Sequence, residues 1–292
     1  MTIHASLRSV LFSLPLFIPA CCHGQAAIFV GCGFFDGETA GAKAVEVHQD
    51  SGFDTVLLES HFKPDGAIYA NREKLFDNGE WVSDSWRKDN LTKLIATVDR
   101  VEFWFAGWSR RDYDFLRKVK ANKKATANLR SNLAALKQLG VCAYCDDDED
   151  VYDTKLSIWM GRQIKNSGLL YTIAPYKRPE HWVPIVEKVG VDRVYYQAYH
   201  PGRKLAGWDQ LKGDFWVGLN SGKDPLEVVQ QKCVEFGKNP SVVGGFLWSH
   251  GIILNKHKGD YKSFSDAIKA GVNAAAPEPC AGDGSPETAE RP

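Results

Sequence analysis

Short apolar runs alternate with longer amphipathic stretches along most of the chain. The runs are rich in Val, Ile, Phe and Tyr, and their apolar positions are continuous, which is typical of parallel strands covered by helices. The eight runs are Ala27–Phe35, Thr55–Glu59, Val101–Ala106, Val141–Cys145, Leu169–Ala174, Arg193–Ala198, Phe215–Leu219 and Val242–Trp248. Each run therefore predicts one strand of a parallel sheet.

The stretches between these runs predict helices. Asp224-Pro225 and Ser83-Asp84 each offer an N-cap candidate just before a first helical turn. The predicted helices are Ala40–Ser51, Ser85–Val98, Asp112–Leu139 in two pieces, Thr154–Asn166, Pro179–Val189, Asp224–Phe236 and Tyr261–Ala275. Eight such units over about 250 residues predict an α/β fold, a parallel eight-stranded (β/α)8 TIM barrel.

A doubly wound sheet is the competing fold class. That fold needs a glycine-rich nucleotide-binding turn directly after its first strand. Here Gly31 and Gly33 are followed by Phe34-Phe35-Asp36, which is not such a turn, so the barrel is the better prediction. The polar stretch His61–Arg87, with two tryptophans, predicts a long loop after the second strand, at the end where barrels bind substrates.

The N-terminal segment has the pattern of an export signal. Arg8 supplies a positive charge, and Val10–Ala20 is mostly apolar but too short to span a bilayer comfortably. Small residues at Gly24–Ala27 offer a cleavage site, so we predict a signal peptide over residues 1–26 and a secreted or periplasmic protein. Ile18-Pro19-Ala20-Cys21 also resembles a lipoprotein processing site, which leaves a lipid anchor at Cys21 open.

The remainder predicts one barrel domain over residues 27–273 and a disordered tail over 274–292, which is rich in Ala, Pro, Gly and Glu. Lys and Arg total 36, as do Asp and Glu, so charge gives no reason to propose nucleic acid or an anionic membrane as a partner. Nine Trp, ten Tyr and fifteen Phe fit a large core and leave open a cleft floored by aromatic rings. We expect a monomer without a membrane span, cofactor or metal.

Cys142 and Cys145 form a Cys-x-x-Cys pair, a spacing that suggests metal binding or redox chemistry when a second pair accompanies it. Three residues apart on a strand, their side chains point to opposite faces, so we expect no bridge between them. We predict that both are small structural side chains.

Packed carboxylates follow the fourth apolar run. Side chains of a strand alternate between its faces, so Cys145, Asp147 and Glu149 point the same way, with the two acids about 6 to 7 Å apart at the backbone. Two carboxylates that close do not ionise independently, and one tends to keep its proton at neutral pH. A general acid needs that property, so this pair is the first candidate for catalysis.

Polar and aromatic side chains also stand at the ends of other predicted strands, where barrel enzymes place their chemistry. Gln197 and Tyr199 share a face of the sixth strand. Tyr176 follows the fifth strand, Trp108 follows the third, and the eighth ends at Trp248. Together with the carboxylates, these side chains would suit a polar ring that carries an acetamido group, and we take them as candidate substrate contacts.

These segments together resemble glycoside hydrolase family 18, the chitinases and endo-β-N-acetylglucosaminidases. Cys142–Glu149 aligns with that family's strand-4 motif Asp-Gly-x-Asp-x-Asp-x-Glu, and its final Asp-x-Glu is matched. Three further segments resemble strands six, five and eight of hevamine-type chitinases: Val194–Tyr199, Tyr171–Pro175 and Gly244–Ser249. The resemblance implies hydrolysis of β-1,4 bonds at N-acetylglucosamine, in chitin, an N-glycan core or peptidoglycan.

The resemblance also implies a role for each matched residue. The family's glutamate, Glu149 here, protonates the glycosidic oxygen, and the substrate's own 2-acetamido oxygen attacks the anomeric carbon, which is an exception to the two-carboxylate scheme. Asp147 would hydrogen-bond the acetamido nitrogen, and Tyr199 would hold the acetamido oxygen. Gln197 would bind the same sugar, and Trp248 would stack under its ring.

The chain departs from the family motif at several positions. Cys142 and Cys145 stand where the family has aspartates, Ala143 replaces a glycine, and His200 stands where many chitinases have an aspartate. A neutral thiol at position 145 removes a negative charge from below Asp147. We therefore expect Asp147 to ionise more readily, with lowered activity or a moved pH optimum.

Other interpretations stay open. Asp146, Asp148 and Asp150 would fit a solvated acidic loop, whereas a calcium loop is disfavoured because the glycine that an EF-hand needs at its sixth position is missing. A catalytically silent sugar-binding barrel is the second hypothesis, which Cys145 favours and Glu149 opposes.

Glu59 and His61, at the end of the second strand, are expected to be structural or peripheral. If Glu59 faced Glu149 across the barrel mouth, a conventional two-carboxylate glycosidase would become the better hypothesis. Three further histidines show no ligand spacing and predict ordinary surface or loop positions: His181, His250 and His257.

Overall fold

The structure is a computed structural model that describes residues 24–31, 33–107, 109–199, 204–208 and 210–275. Several predictions fall outside these residues: residues 1–23 of the export signal, the anchor at Cys21, the substrate contact Trp108, the departure at His200 and the tail beyond residue 275. The last two residues assigned to the signal, Gln25 and Ala26, lie in the first strand of the barrel. In the part of the chain that the structure describes, no helix is long and apolar enough to cross a membrane.

Eight parallel strands close into a barrel, and a short antiparallel meander extends from its second strand. The strands of the described residues are β1 (Gln25–Val30), β2 (Thr55–Phe62), β3 (Ile68–Ala70), β4 (Glu73–Asp77), β5 (Glu80–Trp81), β6 (Arg100–Gly107), β7 (Ala143–Asp148), β8 (Leu170–Ile173), β9 (Arg193–Gln197), β10 (Asp214–Asn220) and β11 (Val242–Trp248). Around the barrel, β1 is followed by β2 and then by β6 to β11, and β11 pairs with β1. The predicted (β/α)8 TIM barrel is confirmed.

Among the described residues, one helix or a pair of helices follows each barrel strand except β9, and these helices cover the outside of the sheet. Within the described segments they are α1 (Gly33–Asp36), α2 (Glu38–Asp50), α3 (Ser85–Thr97), α4 (Arg110–Ala121), α5 (Lys123–Leu139), α6 (Thr154–Asn166), α7 (Pro179–Val189), α8 (Leu226–Gly237), α9 (His250–Lys256) and α10 (Tyr261–Ala275). Asn122 separates α4 from α5, and its side-chain oxygen caps α5 by accepting from the backbone N–H groups of Lys124 and Ala125. The sequence did not predict α9.

The first apolar run, Ala27–Phe35, is not one strand. β1 ends at Val30, and Phe34 and Phe35 lie in α1, where both rings are buried and Phe35 packs 6.0 Å from the ring of Phe103. A continuous apolar run does not distinguish a strand from a short buried helix, which is why the sequence pattern joined the two.

The expected long loop over His61–Arg87 is also wrong. β2 continues to Phe62, and the chain then forms the meander of β3, β4 and β5. Asn78 and Gly79 have φ angles of 53° and 81°, the positive values that a two-residue hairpin turn requires. The side-chain oxygen of Asn128 accepts a hydrogen bond from the Asn78 N–H at 2.6 Å and so fixes the meander against α5.

Alternate positions of the barrel strands point inward and fill the interior in layers. The central layer is aromatic, and its rings meet edge to face or tilted at centroid distances of 5.1 to 5.9 Å. Its members are Phe29, Trp104, Tyr195, Trp216 and Phe246. This rigid aromatic plug supports the side chains at the carboxyl ends of the strands.

A buried acid lies on the amino-terminal side of this layer. Glu102 is fully buried, and its carboxylate accepts hydrogen bonds from Thr172 Oγ1 and Tyr195 Oη, both at 2.7 Å. Arg100 Nε donates to it at 2.6 Å, while the Arg100 Nη2 group reaches Asp192 Oδ2 at 2.7 Å. Because β6, β8 and β9 each contribute a partner, this network joins three strands at the floor of the barrel.

Candidate active site

A cavity of about 290 Å³ opens at the carboxyl end of the barrel strands. It brings together side chains from separate strand ends that the sequence analysis proposed as one site. The predicted residues that line it are Asp147, Glu149, Tyr176, Gln197, Tyr199 and Trp248. Three further lining residues were not predicted: Phe29, Asn220 and Lys223.

The two candidate acids stand at the end of β7. Asp147 is buried, and Glu149 directly follows the strand with an exposed side chain at the cavity. Gln197 Nε2 donates to Asp147 Oδ1 at 2.7 Å and to the carbonyl oxygen of Ala174 at 2.9 Å. Gln197 therefore fixes the orientation of Asp147. The Gln197 Oε1 atom is buried without a hydrogen-bond partner among the described residues, so it is available to a donor on a ligand.

Both carboxyl groups hold protons more tightly than usual. Burial raises the pKa of Asp147 well above its ordinary value, and the nearby charge of Glu149 raises it further. Partial loss of solvent around the Glu149 carboxyl group inside the cavity also raises its pKa, against the opposing effects of the Gln197 amide and the Lys177 ammonium. An interacting pair of this kind retains a proton at higher pH than an isolated carboxyl group would. The pair can therefore supply a general acid.

The thiol of Cys145 lies inside the barrel, on the same face of β7 as Asp147. It is fully buried, and burial raises its pKa well above the usual thiol value, so it carries no charge. The sequence predicts that this neutral group eases the ionisation of Asp147. In the structure the pKa of Asp147 is nevertheless raised, because its burial and the charge of Glu149 outweigh the missing aspartate.

Aromatic rings form the wall and floor of the cavity. Trp248 is partly exposed, and its ring packs at 5.9 Å from Phe29 and at 5.7 Å from Trp104. Tyr199 packs edge-on against Phe246 at 6.1 Å. Tyr176 is partly exposed at the rim. An open indole face beside carboxyl groups is a surface on which a sugar ring can stack.

The acidic side chains on the opposite face of β7 do not form the solvated loop that was one alternative interpretation. Asp146 and Asp148 are fully buried instead of solvated; of the three flanking aspartates only Asp150 is exposed. Tyr171 Oη donates to Asp146 at 2.8 Å, and the backbone N–H of Val151 donates to Asp148 at 2.9 Å. Burial, with the charge of Asp148, raises the pKa of Asp146 to about 7. The acidic segment is thus a buried strand with carboxyl groups on both faces.

Glu59 is not among the residues that line the cavity of Glu149. It lines a different cavity at the barrel mouth, where its Oε1 atom is 3.2 Å from His61 Nε2. Within the described residues, the carboxylates that line the cavity of Glu149 are those of Asp147 and Glu149 themselves. Among the described residues, Glu59 is thus not placed as a second carboxylate of that cavity.

The expected surface position of His181 is wrong. His181 is buried, its Nδ1 atom lies 2.9 Å from Thr154 Oγ1, and burial lowers its pKa to about 4. Burial also lowers the pKa of His250, at the start of α9, to about 4. The packing of helix ends against their neighbours, which spacing along the sequence does not reveal, accounts for both.

Lining residues that the sequence analysis missed come from two strands whose ends it did not examine. Asn220 ends β10, and Lys223 follows it in the next turn. Phe29 is the inward-facing residue near the end of β1. The strand-end rule that found Gln197 would have found Asn220 as well.

The comparison with solved structures supports the fold. No family model and no curated protein matches the sequence. Among solved structures, a chitinase from Chromobacterium violaceum is 11% identical with a TM-score of 0.52, over 85% of this chain and 99% of that chain. A GH18 chitinase from Cycas revoluta in complex with (GlcNAc)3 is 13% identical with a TM-score of 0.55, over 84% and 99%. A β-mannanase from the blue mussel Mytilus edulis is 10% identical with a TM-score of 0.54, over 83% and 90%.

These similarities define the architecture as one that is used by chitinases and by a mannanase. At such low identity they do not choose a sugar or a reaction, because one barrel fold carries many chemistries. The choice must come from the side chains of the cavity.

Proposed function

We propose that this protein is a glycoside hydrolase of the family 18 type, which cleaves β-1,4 linkages at N-acetylglucosamine by substrate-assisted, retaining catalysis. The observation that carries the proposal is the hydrogen bond from Gln197 to Asp147 beside Glu149, in a cavity that also holds Tyr199 and Trp248. The expected ligand is an oligo- or polysaccharide that contains N-acetylglucosamine.

The reaction follows from the protonation of this pair. Neutral Glu149 donates its proton to the glycosidic oxygen as the bond from the anomeric carbon to that oxygen breaks. The carbonyl oxygen of the substrate's acetamido group attacks the anomeric carbon and closes an oxazolinium ring. Asp147, oriented by Gln197, accepts a hydrogen bond from the acetamido N–H and balances its growing positive charge. Tyr199 positions the acetamido oxygen.

The second half of the reaction restores the enzyme. The Glu149 carboxylate takes a proton from water, and the resulting hydroxide attacks the anomeric carbon from the face that the leaving group vacated. The oxazolinium ring opens, and the acetamido group is regenerated. Two inversions at one carbon give net retention of configuration.

The origin of both acids on one strand supports this route over the two-carboxylate scheme. A conventional nucleophile must attack the sugar from the face opposite the acid, so its carboxylate usually comes from another element. Asp147 and Glu149 are two residues apart at the end of β7, and they flank the sugar from the same side. Further support comes from the similar fold of the Cycas revoluta chitinase, which is solved with (GlcNAc)3.

The proposal is tested with 4-nitrophenyl chitobioside and the variant Glu149→Gln. The amide keeps the shape of the side chain but has no acidic proton to transfer to the leaving group, so we expect kcat to fall by about two to four orders of magnitude while chitobiose binding is retained. Equal unfolding midpoints of the two proteins control for folding. Equal turnover by both proteins would contradict the assignment of Glu149.

A sugar-binding barrel without activity is the second candidate, and Cys145 favours it because a buried thiol replaces an aspartate of the family motif. It predicts that wild-type protein and Glu149→Gln both bind chitooligosaccharides and that neither releases nitrophenol. The same assay therefore separates the two functions.

A further inference from the structure

A second cavity, of about 580 Å³, lies beside the first at the barrel mouth. Its lining includes Ala106 of β6, which pairs in register with Asp147 of β7. Neighbouring strands are about 5 Å apart, so the second cavity begins one strand away from the acids. A saccharide whose cleaved bond lies at Glu149 therefore has its neighbouring sugars within reach of this cavity.

Three cations line this second cavity: Lys63, Arg72 and Arg111. In the part of the chain that the structure describes, no carboxylate forms an ion pair with any of them. Unpaired cations that converge on one cavity are a recognition site for an anion.

The two carboxylates of the cavity are directed at its histidine. His61 Nε2 lies 3.2 Å from Glu59 Oε1, and His61 Nδ1 lies 3.8 Å from Asp112 Oδ1. The second oxygen of Asp112 accepts a hydrogen bond from Ser109 Oγ. These contacts hold both acids, at 4% and 6% exposure, at the base of the cavity, while Arg72 and Arg111 are exposed at its rim.

Aromatic packing holds one of the cations in place before any ligand binds. The Lys63 ammonium lies 5.5 Å from the ring centre of Tyr69 and 5.3 Å from that of Phe115, so it bridges the meander and α4. The Arg111 guanidinium lies 6.0 Å from the same Phe115 ring. The two arginines thus come from different elements, Arg72 from the turn between β3 and β4 and Arg111 from α4.

We propose that the second cavity binds the carboxylate of an acidic saccharide, and that the substrate class of this site is an N-acetylglucosamine saccharide that carries carboxylate groups on neighbouring sugars. This inference rests on the proposed function, because it extends the same substrate from the cavity of Glu149. Arginine side chains bind a carboxylate through paired N–H groups, which gives a charged ligand an advantage over a neutral one of the same length.

The test compares tetrasaccharides of one length on the Glu149→Gln protein by isothermal titration calorimetry. The probes are alternating N-acetylglucosamine and N-acetylmuramic acid, the methyl ester of that compound, and neutral chitotetraose. We expect the acid to bind about five- to tenfold more tightly than either other probe, with a preference that shrinks as salt rises. Alternating N-acetylglucosamine and glucuronic acid, as a fourth probe, tells whether a lactyl or a uronic carboxylate is preferred.

Variants assign the preference to this cavity. The double variant Arg72→Gln/Arg111→Gln is expected to lose the preference for the acid over its ester. The control is Arg110→Gln, which removes an exposed neighbouring cation that does not line the cavity and is expected to keep the preference. Lys63 is left in place because its packing on two rings would confound folding with binding.

Equal binding of the acid and its ester, or a preference that survives the double variant, would overturn the inference. Hydrolysis of every probe by the wild-type protein is measured in parallel. Hydrolysis without any preference for acid would leave the proposed function standing and remove this inference alone. A preference for acid without hydrolysis of any probe would instead reject the proposed function and keep the anion site.

Discussion

The pKa of Glu149 is set by groups that act in opposite directions. Partial loss of solvent raises it, whereas the Gln197 amide and the Lys177 ammonium lower it. Lys177 is exposed next to the cavity, with its ammonium 4.7 Å from the ring centre of Tyr176. It stabilises the ionised form of Glu149, which is the form that would accept a proton from water in the second half of the proposed reaction.

Replacing Lys177 with glutamine therefore changes the pH profile in a defined direction. Without the ammonium, the ionised form of Glu149 is less stable and its pKa rises. The protonated acid is the active form in the first step, so the alkaline limb of the kcat/KM profile moves to higher pH. The profile of Lys188→Gln, an exposed lysine of α7, serves as the control. A limb that stays in place, or moves to lower pH, would contradict this account of Glu149.

Alternation along β7 was enough to predict that Asp147 and Glu149 share a face. It was not enough to predict that Asp146 is buried, because the groups that bury it come from other elements. Tyr171 on β8 and Tyr113 on α4 donate to its carboxyl group at 2.8 and 3.4 Å. A local sequence pattern contains no information about such long-range partners.

At the scale of one element, the outer face of β7 carries the carboxyl group of Asp146, whose ionised form destabilises the fold. Burial raises the pKa of Asp146 from 3.8 to about 7, so this group favours the folded state most below its ordinary pKa. That contribution is lost as the pH rises through about 7. Asp146→Asn removes the titration, and asparagine can still accept from Tyr171.

Urea unfolding between pH 4 and pH 8 measures this effect. The measured quantity is the free energy of unfolding of Asp146→Asn minus that of the wild type. This difference should increase by on the order of 2–4 kcal/mol as the pH rises from about 4 to about 7, and should then level off. Asp150→Asn, at an exposed position, gives the reference for replacing an aspartate of the same segment. A difference between Asp146→Asn and wild type that is constant with pH would contradict the buried position of Asp146.

The meander after β2 was missed by the sequence analysis, although one of its turns carries a clear sequence signal. Asn78-Gly79 is a strong hairpin turn in sequence terms, and its positive φ angles are present in the structure. The neighbouring strands are only two to five residues long, too short to show a period of two. The side-chain amides that fix the meander lie on α5, about fifty residues further along the chain.

At the scale of the whole molecule, the barrel floor depends on one buried ion pair. Glu102 receives hydrogen bonds from β6, β8 and β9, and Arg100 is its charged partner. Removing one member of a buried pair costs more than the pair itself contributes, because the other charge loses a partner; without Glu102, Arg100 would keep Asp192 alone. The network therefore makes the closure of the barrel sensitive to a single carboxylate.

The variant Glu102→Gln is expected to lower the free energy of unfolding by about 3 kcal/mol. Thr172→Val, which removes only one neutral donor to the same carboxylate, is expected to cost about 1 kcal/mol. Both values come from urea unfolding followed by circular dichroism. Equal, small losses for the two variants would show that the ion pair does not hold the floor together.

The eight-stranded barrel followed from the count and continuity of apolar runs, whereas the function does not follow from the fold. Chitinases and a β-mannanase share this architecture with the chain at 10 to 13% identity. The distinction lies in the cavity, where two acids stand on one strand and Glu59 belongs to another opening. Secretion and a monomeric state stay predictions from the sequence.

The central claim is that the substrate's acetamido group, and no enzyme carboxylate, attacks the anomeric carbon. The most direct measurement compares initial rates on 4-nitrophenyl chitobioside and 4-nitrophenyl cellobioside, which differ in the acetamido groups. The account predicts release of nitrophenol from the chitobioside alone, with a rate that depends on Glu149. Comparable release from the cellobioside would contradict it, because that substrate has no acetamido oxygen to attack.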